Sequence, residues 1–168
     1  MGARINTISQ LHRILSRSGS EGAVSLKPHL SEVTDALAAA LSSPEQLVRV
    51  THTGRDCLVL IRLVQPIVLN LCEVFINAMK HADPAGVPLM MPVDCALSQD
   101  GRLVLSTSDD GVGLPDGFDT GARGGMGFKV MWSLAAEIGA ELQIVSTPLD
   151  LTFRLTLAAG TMVGTKFT

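Results

Sequence analysis

Hydrophobic and polar positions follow two rhythms along this chain, and the switches between them mark its elements. Ile5, Ile8, Leu11 and Leu15 recur at helical spacing before the polar run Ser16-Arg17-Ser18-Gly19-Ser20, which predicts a short amphipathic helix that needs a packing partner to be stable. Leu30, Val33, Leu37 and Leu41 predict a second helix, opening near Pro28 and stopping before Pro44. Leu47 to His52 and Cys57 to Ile61 are short and rich in Val, Ile and Leu, and with Thr53-Gly54-Arg55-Asp56 between them they predict two strands and a turn. A longer helix is expected from about Val64 to Ala82, with Pro66 in its first turn and Asp83-Pro84-Ala85-Gly86 ending it. Val93, Cys95 and Leu97 alternate toward Asp100-Gly101, and Leu103 to Thr107 continues as the second arm of a hairpin. Val130, Met131, Leu134, Ala135 and Ile138 form a helical stripe that ends at Gly139. Leu142 to Val145 and Leu151 to Leu157 read as a closing hairpin around Pro148. Helices and largely antiparallel strands in separate runs predict an α+β fold, a two-layer α/β sandwich with helices on one face of a mixed, mostly antiparallel sheet. The expected organisation is a helix within residues 1–18, a domain over 24–158, and a weakly ordered tail over 159–168.

The longest helix is apolar over a wide arc and polar over a narrow one. With about 100° per residue, Asn70, Glu73, Asn77, Lys80 and His81 fall inside an arc of about 100°, opposite Ile67, Val68, Leu71, Val74, Phe75, Ala78, Met79 and Ala82. A helix so broadly apolar is mostly buried, and its polar stripe is expected to line a cavity. A solvated stripe would favour Glu and Lys at charge-paired spacing instead. Glu73 and Asn77 stand one helical turn apart, so a carboxylate beside a neutral oxygen donor could orient water and ligate Mg²⁺, which takes few protein oxygens.

Two glycine segments follow. In Asp109-Asp110-Gly111-Val112-Gly113 the glycines permit close ligand approach and the carboxylate can accept a hydrogen bond from an amino group such as that of adenine. Gly124-Gly125-Met126-Gly127 opens directly into a helix, the arrangement in which backbone N–H groups and the helix dipole hold phosphate. It has neither the lysine of a Walker loop nor the three spaced glycines of a dinucleotide fingerprint. Between the two lies Leu114 to Arg123, rich in turn formers and short of large apolar anchors, as expected of a lid over bound nucleotide.

Composition narrows the class. A chain of 168 residues with 46% apolar content is long enough for one core and short for two ordinary domains. A net charge of −3, with Lys and Arg scattered, argues against a nucleic-acid partner. Cys57, Cys72 and Cys95 include no Cys-x-x-Cys pair and lie in or beside apolar segments, so reduced, buried thiols in a cytoplasmic protein are expected. No apolar run is expected to reach the length of a bilayer-spanning helix, and the start lacks the core of a secretion signal. His29 and His52 are expected at exposed polar positions, and Trp132 in the core.

Together these residues resemble the ATP-binding domain of sensor histidine kinases, in the superfamily that also includes DNA gyrase. Glu73 to Ala82 is similar to the N box, Asp109 to Gly113 to the first glycine box, and Gly125 to Gly127 to the second. The resemblance implies a Bergerat ATP-binding fold. It further implies ATP and Mg²⁺ as ligands, with Asn77 ligating Mg²⁺ and Glu73 assisting phosphoryl transfer by polarising a reacting group. Asp109 would bind the adenine amino group, Lys80 would lie near phosphate, and Gly111, Gly113, Gly125, Met126 and Gly127 would shape the pocket and lid. Lys80-His81-Ala82 and the short lid look most like the subfamily with light and general-stress sensors. Arg4 to Leu15 is similar to the second helix of that subfamily's dimerisation and phosphoacceptor hairpin, whose first helix is not in this sequence, and His12 lacks the pattern of a phosphoacceptor. The implied partners are a histidine-bearing dimerisation helix and a response regulator, within a homodimer of the intact protein. Ser108 and the stretch Pro148 to Thr152 depart from the family pattern. Three other functions share the boxes: a serine kinase of the anti-sigma-factor type, a non-catalytic adaptor that docks a response regulator, and a plain ATPase.

Overall fold

The computed structural model describes residues 22–81, 87–111, 113–121 and 125–160, and the backbone of 162–165. The helix expected around 5–15, the helix stop at 83–86, Val112 and residues 122–124 lie outside them. The elements run β1 (Ala23–Ser25), α1 (Leu26–Leu41), β2 (Val48–Gly54), β3 (Cys57–Leu60), α2 (Ile61–His81), β4 (Leu89–Leu97), β5 (Leu103–Asp109), α3 (Met126–Glu137), β6 (Glu141–Ser146), β7 (Leu151–Thr156) and β8 (Met162–Thr165).

Five strands form the main sheet in the order β2-β4-β5-β7-β6, with β2 parallel to β4 and every other pair antiparallel. Period-two alternation decides which face is covered. Leu89, Met91, Val93 and Cys95 of β4, Leu103 and Leu105 of β5, and Leu151, Phe153 and Leu155 of β7 are buried against the helices, while Met90 and Ala96 between them stay exposed on the other face. The α+β sandwich expected from sequence is therefore the observed architecture.

At the centre of the helical layer, α2 buries Ile67, Val68, Leu71, Val74, Phe75 and Ala78. Each large apolar side chain buried this way contributes on the order of 2 kcal/mol. With 21 residues and a mean hydropathy of 1.4, this helix is long and apolar enough to cross a bilayer by composition, contrary to expectation. Two thirds of its apolar window is instead buried inside the fold, 67%. It also starts earlier than expected, at Ile61, which moves Pro66 from the first turn into the second. Pro66 has no N–H for the Arg62 carbonyl, and its own burial among core side chains compensates.

Three further differences are topological. The segments around Thr53-Gly54-Arg55-Asp56 do not form a hairpin, because β2 joins the main sheet while β3 pairs antiparallel with β1 and β8 in a separate three-stranded sheet. Gly54 permits the departure: its φ is +83°, and a Cβ there would sit 1.9 Å from the Cys95 carbonyl oxygen of the neighbouring strand. The segment expected as a weakly ordered tail contributes β8, which covers β3 where Val59 is fully buried. Ala23–Ser25 adds a strand too short to show a periodicity.

Single residues also moved. His52 is half-buried, with Nε2 2.9 Å from Thr34 Oγ1, and burial pushes its pKa below the ordinary value. His29, half-buried as well, places Nδ1 2.9 Å from the Ser25 carbonyl. Trp132, expected in the core, is 37% exposed, whereas Phe128, Met131 and Ala135 of the same helix are buried. All three cysteines are free and buried, as expected.

Candidate functional site

One end of the sandwich gathers the residues that the sequence singled out. Helix α2 delivers Glu73 and Asn77 one turn apart, β5 ends at Asp109, and α3 begins at Met126 just after Gly125. Pairing of Asp109 with Leu151 brings the β6–β7 turn alongside.

Gly127 is where the helices meet. A Cβ on it would stand 3.0 Å from Glu73 Oε2 and 3.3 Å from both Asn77 Oδ1 and Nδ2, so the absence of a side chain lets the first turn of α3 approach the polar stripe of α2. Asn77 is buried, and its Nδ2 has no hydrogen-bond partner among the described residues. A buried amide donor left unpaired costs roughly 1–3 kcal/mol, a cost that a bound oxygen-rich group would remove. Glu73 is half-buried beside it, whereas Lys80 and His81, in the last turn, are exposed.

Asp109 is the buried acid of the site, 6% exposed. Burial raises its pKa above the ordinary carboxylate value, partly opposed by the Gly111 N–H, which donates to Oδ1 at 2.9 Å; neighbouring Asp110 pushes the same way as burial. That bond engages one carboxylate oxygen; a carboxylate has a second that can accept from another donor. Gly113 has φ +67°, and a Cβ there would fall 2.1 Å from the Thr147 carbonyl oxygen, so only glycine fits where the chain leaves the sheet. Next along the chain, the Leu114 N–H donates to Ser146 Oγ at 2.7 Å.

From there the segment 114–120 runs over the sheet end, and between it and the turn at 146–148 opens a groove of about 520 Å³ lined in part by Phe118, Ile144 and Pro148. The expectation that this segment lacks apolar anchors is corrected: the Phe118 ring centroid lies 6.2 Å from that of Phe128, which in turn lies 6.5 Å from Phe153. This aromatic chain ties the segment through α3 to the sheet. One large aromatic in a run of turn formers was the available signal.

Not every predicted residue converges. Gly125 caps α3 with open space around its Cα, and Met126 projects into solvent, 77% exposed. Asn70, at the other end of the polar stripe, lies away from this cluster: its Nδ2 donates to the Met131 carbonyl at 3.0 Å, joining α2 to α3.

The residues present suit a Mg²⁺-bound nucleoside triphosphate. Asn77 and Glu73 offer oxygens on one face, and the α3 N-terminus faces them through Gly127. Among the described residues no three Asp, Glu, His or Cys side chains converge on one point. A Mg²⁺ here would complete its shell with phosphate oxygens and water.

By sequence the chain matches no family model and no curated protein. Its fold, however, is well represented among solved structures. The histidine kinase domain of a blue-light activated histidine kinase from Erythrobacter litoralis superposes with a TM-score of 0.75 at 19% identity, over 93% of this chain and 73% of that one. A longer structure of that kinase gives a TM-score of 0.70 at 20% identity, over 80% of this chain and 42% of the other. The Acinetobacter baumannii histidine kinase AdeS gives 0.65 at 13% identity, over 93% and 77%. The likeness is one of fold: the chain has the architecture of a histidine kinase domain.

Proposed function

We propose that this chain, which has the fold of a histidine kinase domain, is the Mg-ATP-binding catalytic core of a sensor histidine kinase. In an intact protein it would transfer the ATP γ-phosphoryl group to a histidine on a dimerisation helix, working in the cytoplasm ahead of a response regulator. The observation that carries this reading is the meeting of Gly127 with Glu73 and Asn77, where a buried amide donor has no partner among the described residues.

Phosphoryl transfer asks a protein chiefly for positioning and charge neutralisation. Asn77 would hold the metal, whose bound charge would offset that of the phosphates. The N-terminal turn of α3 would bind phosphate oxygens through backbone N–H groups. Glu73, one turn from Asn77, would polarise the attacking imidazole, and the buried Asp109 carboxylate would accept the adenine amino group. The segment 114–120, anchored by Phe118, would exclude water from above.

Thermal unfolding tests the reading directly, because a ligand that binds only the native state adds about 2.7 kcal/mol at a hundredfold excess over Kd. The expected result is a rise in Tm with Mg-ATP that is absent with Mg-GTP and reduced by a chelator. In Asn77→Ala the Mg-dependent part of the shift should vanish while the nucleotide-free Tm stays near that of the parent. No shift at millimolar nucleotide would favour a non-catalytic adaptor on the same fold.

A further inference from the structure

A buried amide outside the nucleotide cluster has a directional task. Asn70 is 4% exposed, and its Nδ2 donates to the Met131 carbonyl of α3 at 3.0 Å. Along α2, Asn77 lies seven residues beyond Asn70, and along α3, Gly127 lies four residues before Met131. The two contacts therefore run in opposite chain directions, as they must between antiparallel helices, and they sit roughly two helical turns apart on α2. One contact is polar and far from the pocket, and the other is the close approach of Gly127 to Glu73 and Asn77.

Apolar side chains of both helices, Val74 of α2 and Met131 of α3 among them, belong to the same buried core. Hydrophobic contact is non-directional and tolerates small slides of one helix along another, whereas a hydrogen bond weakens steeply once its length or angle is lost. An apolar residue at position 70 would avoid the cost of burying an amide. Met131's carbonyl has two lone pairs, so it can accept from Asn70 and still serve the helix ladder. We propose that Asn70 is a positioning residue: its bond to the Met131 carbonyl fixes where the first turn of α3 meets Glu73 and Asn77, and so sets the geometry of the phosphate end of the site.

The consequence for nucleotide rests on the Mg-ATP reading of the pocket, but the positioning itself can be measured without nucleotide. Trp132 is the sole tryptophan of the chain and adjoins Met131. Half-exposed on α3, it reports that helix alone. The experiment compares the parent with Asn70→Leu, which removes the donor while keeping a side chain branched at the same carbon, and with Leu71→Ala, which loosens the same helix without touching the Met131 carbonyl. We expect Asn70→Leu to change the emission and acrylamide quenching of Trp132 in nucleotide-free protein and to raise the Kd for Mg-ATP at least tenfold. Leu71→Ala, measured well below its own Tm, should keep the parent's quenching and a Kd within twofold despite an equal or larger loss of Tm. Unchanged Trp132 quenching in Asn70→Leu would overturn the proposal, as would a Kd within twofold of the parent or an equal loss of affinity in Leu71→Ala. Should Asn70→Leu fail to fold, Asn70→Ser, whose hydroxyl is too short to reach the carbonyl, is read by the same criteria. A parent that binds no Mg-ATP would overturn the kinase-core reading, and the Trp132 comparison would then decide the helix positioning alone.

Discussion

A buried carboxylate with a raised pKa is an expense that a core side chain would not impose, and Asp109 is such a group. Its ordinary value is 3.8, and in the folded chain burial raises it. Below the ordinary value Asp109 is protonated whether the chain is folded or not, and it costs nothing. As pH rises past that value the unfolded chain ionises first, so stability falls until pH exceeds the raised folded value. Asp109→Asn keeps an acceptor for the Gly111 N–H and removes the charge. It should raise Tm at about pH 8 and leave it nearly unchanged at about pH 3.5, while abolishing discrimination between ATP and GTP. A Tm difference independent of pH would show that burial of this charge is not the cause.

At the scale of elements, the chain uses contacts distant in sequence to finish what local signals begin. Helix α1 has Ser25 at its N-cap, a residue type that often supplies its own cap, yet the Ser25 side chain makes no such bond. Ser25 Oγ instead bonds Asp56, and Asp56 Oδ1 accepts from the Lys27 N–H at 3.1 Å. A carboxylate from the β2–β3 connection thereby caps the helix and meets its dipole. Asp56→Ala should cost about 1 kcal/mol, read as a lower urea midpoint with an unchanged m-value. A stability equal to the parent's would mean that solvent caps α1 equally well. The same connection explains why β2 and β3 fail to form a hairpin: Gly54 lies against the Cys95 carbonyl, so the chain leaves the main sheet there and starts another.

For the whole molecule, two sheets and three helices among the described residues enclose the cysteines as well as the apolar core. Burial pushes Cys72 and Cys95 up to about 12, and Cys57 in the same direction, from an ordinary 9.0. Thiolate is the reactive form, so a thiol reagent at about pH 8 should label the native protein hardly at all and label all 3 cysteines in denaturant. Rapid native labelling of any one of them would contradict the burial. Much of this architecture was legible in the chain. Period-two runs located β4 to β7, helical periods located α1 to α3, and the order of Glu73, Asn77, Asp109, Gly111, Gly113 and Gly127 pointed to one pocket, because alternation and glycine placement are local properties of sequence. The pairing of β2 with β4, the removal of β3 to a second sheet, the strand at Met162–Thr165 and the Asn70–Met131 tie were decided only by tertiary structure. Each is a contact between residues far apart in the chain, and no local period records which distant surface a strand edge or a buried amide will meet.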